Sequence, residues 1–252
     1  MESCRFGLLG ELSIDDGAVT LNAGKLRGLL AALLLHAGKP VSQHELVERI
    51  WDEPPSRASS TLQVYVVRLR QALGALGSAV VRSSTGYWFD VDTDQVDLHR
   101  FRGLTSRRDP DARTELGDLR EALSLWRGPA LADVTSEAMR FEADRLDEER
   151  LAAVERRIEL EIELGAHREL VPELRALTRR HPMRERFAEF LMLALHRGGR
   201  SADALEIYRD VHRMFARELG VRPGRRLAEL HDRILCGREI GTPSCLGPLN
   251  QR

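Results

Sequence analysis

Strand-like patterning is confined to the residues before Asp92, and from Asp97 onward only helical periodicity remains. That division predicts a mostly α protein with a small β component, in two parts. Residues 1–92 form a mixed domain, residues 93–236 an all-helical one, and 237–252 a disordered tail with two prolines and no periodicity. A length of 252 residues accommodates two such domains, since domains cluster at roughly 100–150 residues.

Within the first part, Phe6, Leu8, Leu12 and Ile14 alternate with Gly and polar residues, and Ala18–Leu21 follows a turn at Asp16-Gly17, predicting short antiparallel strands. Lys25–His36 is predicted as a helix with Leu26, Leu29, Leu30, Leu33 and Leu34 on one broad face, stopped at Gly38. Ser42-Gln43-His44-Glu45 matches a capping box, so a second helix starts there and ends near Trp51. A third is predicted over residues 56–76, with Leu62, Val66, Leu69 and Leu73 as its buried stripe. Val80–Val91 reads as a hairpin turning near Ser84–Gly86. Strands, three helices and a terminal hairpin make a winged helix-turn-helix with an extra leading sheet.

In the second part, helices are predicted at Asp118–Trp126, Ser136–Leu164, His167–Arg180, Arg184–Arg197 and Ser201–Leu219. Gly165 and Gly199 stand 34 residues apart, each read as opening a helix, and Leu170, Leu174 and Leu177 correspond to Ala204, Tyr208 and Val211. That period suggests tetratricopeptide-like packing. The alternating charges of Glu142–Arg157 read as a solvated helix face with i,i+4 pairs.

The net charge of −1 says little, but its distribution says more. From Pro54 to Phe89 there is no Asp or Glu, while Arg57, Arg68, Arg70 and Arg82 all fall there. A local positive island of this kind suits a DNA-facing surface. The outer face of the third helix carries Arg57, Ser60, Thr61, Val64, Arg68 and Gln71. Ser60 and Thr61 can bond phosphate or base edges, Val64 can pack on a thymine methyl, and Arg57 and Arg68 can contact phosphate or guanine. In the hairpin, Arg82 with Ser83, Ser84, Thr85 and Tyr87 forms a candidate wing, and Gly86 a place for close backbone approach.

Enzyme chemistry finds no foothold. His44-Glu45-Leu46-Val47-Glu48 has Glu48 where a zinc protease needs its second histidine, and no phosphate-cradling loop or nucleophile elbow occurs. No cofactor or metal is expected. The three cysteines Cys4, Cys236 and Cys245 form no C-x-x-C pair, which fits a reduced cytoplasmic setting. No apolar stretch approaches the ~20 residues a membrane span requires, and the N-terminus carries no secretion signal.

The chain resembles the streptomycete antibiotic regulatory proteins. The resemblance lies in Phe6–Gly10, Gly24-Lys25-Leu26-Arg27, Leu46–Trp51 with Pro54-Pro55, Thr61–Arg70 and Gly86-Tyr87. In the second part it lies in Asp97–Phe101, Leu125–Leu131, Leu193–Leu195 with Gly199-Arg200, and Glu218–Gly224, similar to that family's bacterial transcriptional activation domain. His36 and Lys39 depart from the family pattern. The resemblance implies a pathway-specific activator of an antibiotic biosynthetic cluster, nucleoid-associated. It would bind double-stranded promoter DNA at direct repeats near the −35 element, as a homodimer, and recruit RNA polymerase holoenzyme through sigma or another subunit. It also places Lys25 and Arg27 near the DNA backbone, joined by Arg70. Larger relatives add an ATPase domain, so activity without ATP or a receiver domain is expected here. The rival readings are a helical-repeat protein–protein adaptor and a repressor using the same DNA-binding domain.

Overall fold

The computed structural model describes residues 4–238. The predicted tail lies, beyond Arg238, outside the described residues. The chain divides into two compact units. The first takes in the residues up to Asp109 together with Gly117–Ala153, and the second Pro110–Leu116 with the chain from Val154 onward.

The first unit opens with β1 (Phe6–Gly7) and β2 (Ser13–Ile14), an antiparallel pair with Phe6 opposite Ile14. The strand expected at Ala18–Leu21 does not form. A 3-10 turn at Asp15–Gly17 redirects the chain, and Arg27 takes the Leu21 and Asn22 carbonyls that a ladder would have used. Helix α1 (Gly24–Leu34) buries seven consecutive residues, Gly28 to Leu34, so it is enclosed on all sides rather than on one face. Strand β3 (Val41–Ser42) leads into α2 (Gln43–Ile50), where the Glu45 amide donates to Ser42 Oγ at 3.1 Å, as the capping pattern requires. Helix α3 (Ala58–Ala72) buries Leu62, Val66 and Leu69. It is shorter than the predicted 56–76, because Gly74 at φ +56° sends the chain into a 3-10 segment, Gly74–Ala79. Strands β4 (Val80–Arg82) and β5 (Gly86–Phe89) complete a three-stranded sheet in the order β3-β5-β4. The helix-turn-helix and its wing are therefore as the sequence reading drew them.

This unit does not end at residue 92. Helix α4 (Asp97–Ser106) begins with a buried carboxylate. Asp97 accepts the Leu8 and Leu9 amides at 2.7 and 3.0 Å, and Arg127 approaches it at 3.4 Å. Burial pushes this carboxyl's pKa up, opposed by the two backbone amides and Arg127. Those amides have no strand partner, so Asp97 supplies the acceptors the leading sheet lacks. Phe6 also bridges to Val96 and meets Phe89 edge-on at 5.2 Å. Farther along, Ser136 donates to the Arg49 carbonyl, and Asp52 accepts the Glu137 amide. The end of α2 and the start of α6 (Glu137–Glu163) are thus joined by direct hydrogen bonds.

In the second unit, α6 continues from Val154, and α7 (Val171–Arg180), α8 (Glu185–Arg197), α9 (Ser201–Glu218) and α10 (Arg225–Leu235) follow. Gly165 and Gly199 close helices rather than open them. Both take positive φ (91° and 79°), and their amides bond back to Ile162 and His196. Helix α7 starts at Val171 rather than His167, with Pro172 in its first turn, where a missing N–H costs nothing. Helix α5 (Ala112–Ser124) starts earlier than predicted because Asp111 caps it, accepting the Arg113 and Thr114 amides.

The alternating charges of α6 are not simply a solvated face. Glu115, only 2% exposed, takes two bonds from Arg156, which also binds Glu159. Glu159 binds Arg186, Arg186 binds the buried Glu189, and Glu189 accepts Arg226 at 2.9 Å. One alternating chain of ions therefore runs through α5, α6, α8 and α10, each carboxylate answered by a guanidinium.

Candidate nucleic-acid interface

The outer face of α3 is set by its inner one. At about 100° per residue, Val64 lies opposite the buried stripe Leu62–Val66–Leu69–Leu73. Arg57, Val64 and Gln71 follow one line along the exposed side, with Ser60 on one flank and Thr61 and Arg68 on the other. All are exposed except Thr61, which is half-buried. The hydroxyls of Ser60 and Thr61 both donate to the Arg57 carbonyl at 3.0 Å, leaving their oxygens free to accept. No acid stands in the first turn, so the positive end of the helix is uncompensated.

The wing tip follows the same rule. Arg82, Ser84 and Thr85 are exposed. Ser83 turns inward, its Oγ accepting the Gly86 amide at 3.0 Å. Between the end of α3 and β4 runs an open groove of about 540 Å³, flanked by Gln71, Ser78 and Arg82. Among the described residues, Arg57, Arg68 and Arg82 form no ion pair; Arg68 lies 5.9 Å over the Tyr65 ring. The contrast within the same unit is clear. Arg49, Arg102 and Arg145 are matched by Glu45, Glu142 and Glu149.

Several expected contacts are placed elsewhere. Tyr87 is 3% exposed, its ring part of the core under the wing. Gly86 allows a close approach, but to its own sheet: a Cβ there would lie 1.9 Å from the Val41 carbonyl oxygen. Lys25 donates to the Ile50 carbonyl at 2.7 Å, tying α1 to the end of α2. Arg27 pairs with Asp133 at 2.9 Å while holding the Leu21 and Asn22 carbonyls. Arg70 gives two bonds to the Val80 carbonyl, at 3.0 and 2.7 Å, fastening α3 to β4. The charged groups of these three cations, expected at the DNA backbone, are engaged inside the protein. Conversely, Val67 is 50% exposed on the outer face, a position the sequence pattern does not single out. Its adjacency to the core residue Val66 masked it, although its step of three from Val64 marks the outer side.

Comparison with known proteins agrees with this layout. Residues 18–89 match the model of the family described as "Transcriptional regulatory protein, C terminal", and residues 91–235 that of the "Bacterial transcriptional activator domain". The chain is 39% identical to the regulatory protein AfsR of Streptomyces griseus, over 96% of its own length and 26% of that protein's. It thus spans about a quarter of the AfsR proteins it matches. It is also 39% identical to the regulatory protein DnrI of Streptomyces peucetius, covering 86% of each. Among solved structures, EmbR of Mycobacterium tuberculosis, in complex with a low affinity phosphopeptide, superimposes with a TM-score of 0.87 at 32% identity, over 94% of this chain and 66% of that one. With both domain models matched in order and DnrI aligned along most of its length, the chain belongs to the Streptomyces antibiotic regulatory protein family.

Proposed function

We propose that this chain is a sequence-specific DNA-binding transcriptional activator of an antibiotic biosynthetic pathway, acting in the cytoplasm without catalysing a reaction. Helix α3 lies in the major groove, with Arg57, Ser60, Thr61, Val64, Arg68 and Gln71 toward the base edges and phosphates. The β4–β5 hairpin rests Arg82, Ser84 and Thr85 on the adjoining backbone. Residues 1–92 bind promoter DNA at direct repeats, two copies side by side, and residues 93–236 contact RNA polymerase holoenzyme. The observation that carries this reading is the outer face of α3, whose arginines lack carboxylate partners among the described residues while arginines elsewhere in the unit have them. An exposed cation without a partner costs little in water and gains much against a phosphate backbone.

The test is binding of the full chain to the promoters of its neighbouring genes across a salt series, with a scrambled competitor present. Promoter-specific binding that weakens steeply with salt is expected, and an absence of binding at low salt overturns the reading. In vitro transcription from the bound promoter then fixes the sign: a rise in transcript supports activation, a fall indicates repression.

A further inference from the structure

Two of the exposed large apolar side chains lie side by side on α3. Val64 is 49% and Val67 50% exposed, whereas Leu62, Val66 and Leu69 on the same helix are at most 1% exposed. Three residues apart, their Cβ atoms are neighbours, about 5–6 Å from each other. β-Branched residues are poor choices for an exposed helix middle on propensity alone, so propensity does not account for the pair. Their surroundings are Ser60, Arg68 and Gln71, with no acid anywhere on the helix.

An aliphatic island framed by unpaired arginines fits a surface that is strongly negative yet carries isolated apolar groups. The major groove is such a surface, and the apolar group it presents is the C5-methyl of thymine. Successive base pairs rise about 3.4 Å along a strand, so methyl groups on two adjacent pairs come within reach of two valines one helical turn apart. We infer that Val64 and Val67 are specificity-determining residues that read the methyl groups of two adjacent thymines. Each operator repeat then carries a two-thymine step beneath the middle of α3. This inference rests on the DNA-binding reading above and adds Val67 and the nature of the base step to it. A protein partner would also cover the two valines, but nothing in such a contact requires the surrounding helix to be free of acid.

The decisive experiment replaces thymines of the footprinted repeat one at a time with deoxyuridine, which keeps every hydrogen-bonding group and removes only the methyl. With the full chain, substitution at two adjacent positions should each weaken binding about 4-fold, the equivalent of one buried methyl, with the salt slope unchanged. Val64→Ala should abolish sensitivity at one of these positions and Val67→Ala at the other. Tight binding that is indifferent to every deoxyuridine, or uracil sensitivity retained in both variants, overturns this inference alone. Failure of the unmodified duplex to bind at low salt overturns the DNA reading and this inference with it.

Discussion

Arg68 and Arg70 sit two residues apart on one helix, and the structure gives them opposite fates. The Arg70 guanidinium is half-buried and donates twice to the Val80 carbonyl. A hydrogen bond from a charged donor contributes about 1.5–3 kcal/mol, so Arg70→Ala should cost about that much stability. Native domains hold about 5–15 kcal/mol, so the variant still folds and its DNA binding can be measured. Arg68 is exposed, its guanidinium carbon 5.9 Å over the centre of the Tyr65 ring. Its loss should change stability by no more than about 0.5 kcal/mol. On DNA the order reverses. Arg68→Ala should weaken operator binding by about 1–3 kcal/mol and reduce the log–log salt slope by about one unit, while Arg70→Ala leaves that slope as it was. Urea unfolding and fluorescence anisotropy between about 50 and 200 mM salt, run on both variants, separate the two roles. An Arg70→Ala protein of wild-type stability with a shallower salt slope would refute the internal assignment. Wild-type affinity in Arg68→Ala would refute the external one.

Other substitutions probe the scaffold behind that face. Asp97→Ala orphans two buried amides at about 1–3 kcal/mol each, so a loss of about 2–6 kcal/mol is expected in urea unfolding; a loss below about 1 kcal/mol would show that the latch is dispensable. Gly86→Ala forces a Cβ to 1.9 Å from the Val41 oxygen, backbone against backbone, and should destabilise by about 3 kcal/mol, the upper end for overpacking, lowering DNA affinity with the wing; an unchanged melting temperature would contradict the close pairing of β3 and β5. His99 is held below the ordinary histidine pKa chiefly by burial, its Nε2–H donating to the Leu34 carbonyl at 2.9 Å. The unfolded chain therefore takes up this proton first, near pH ~6.5. Stability is full above that value and declines as pH falls toward the depressed one, and His99→Gln should flatten that segment of a urea-midpoint profile.

The order of helices and the hairpin were legible because each carries a local signal. The Ser42 cap and the Leu62–Leu73 stripe each act within a turn or two of themselves, whereas the stop at Gly74 was missed. The missing Ala18–Leu21 strand was not legible, since its carbonyls are claimed by Arg27 from the next helix. Nor was the burial of Tyr87, which alternation along a short strand placed beside an exposed turn.

The sequence by itself determined that α3 has an acid-free outer face, because facing follows from helical period and acid content is simply read off. Only the tertiary structure decided which cations on and near that face stay available. Among the described residues Arg57, Arg68 and Arg82 form no ion pair, whereas Lys25, Arg27 and Arg70 find carbonyls or Asp133. The physical reason is that a long cationic side chain takes whichever acceptor the fold brings within its reach. Distances between residues far apart in sequence, such as the 106 positions separating Arg27 from Asp133, exist only once the chain has folded.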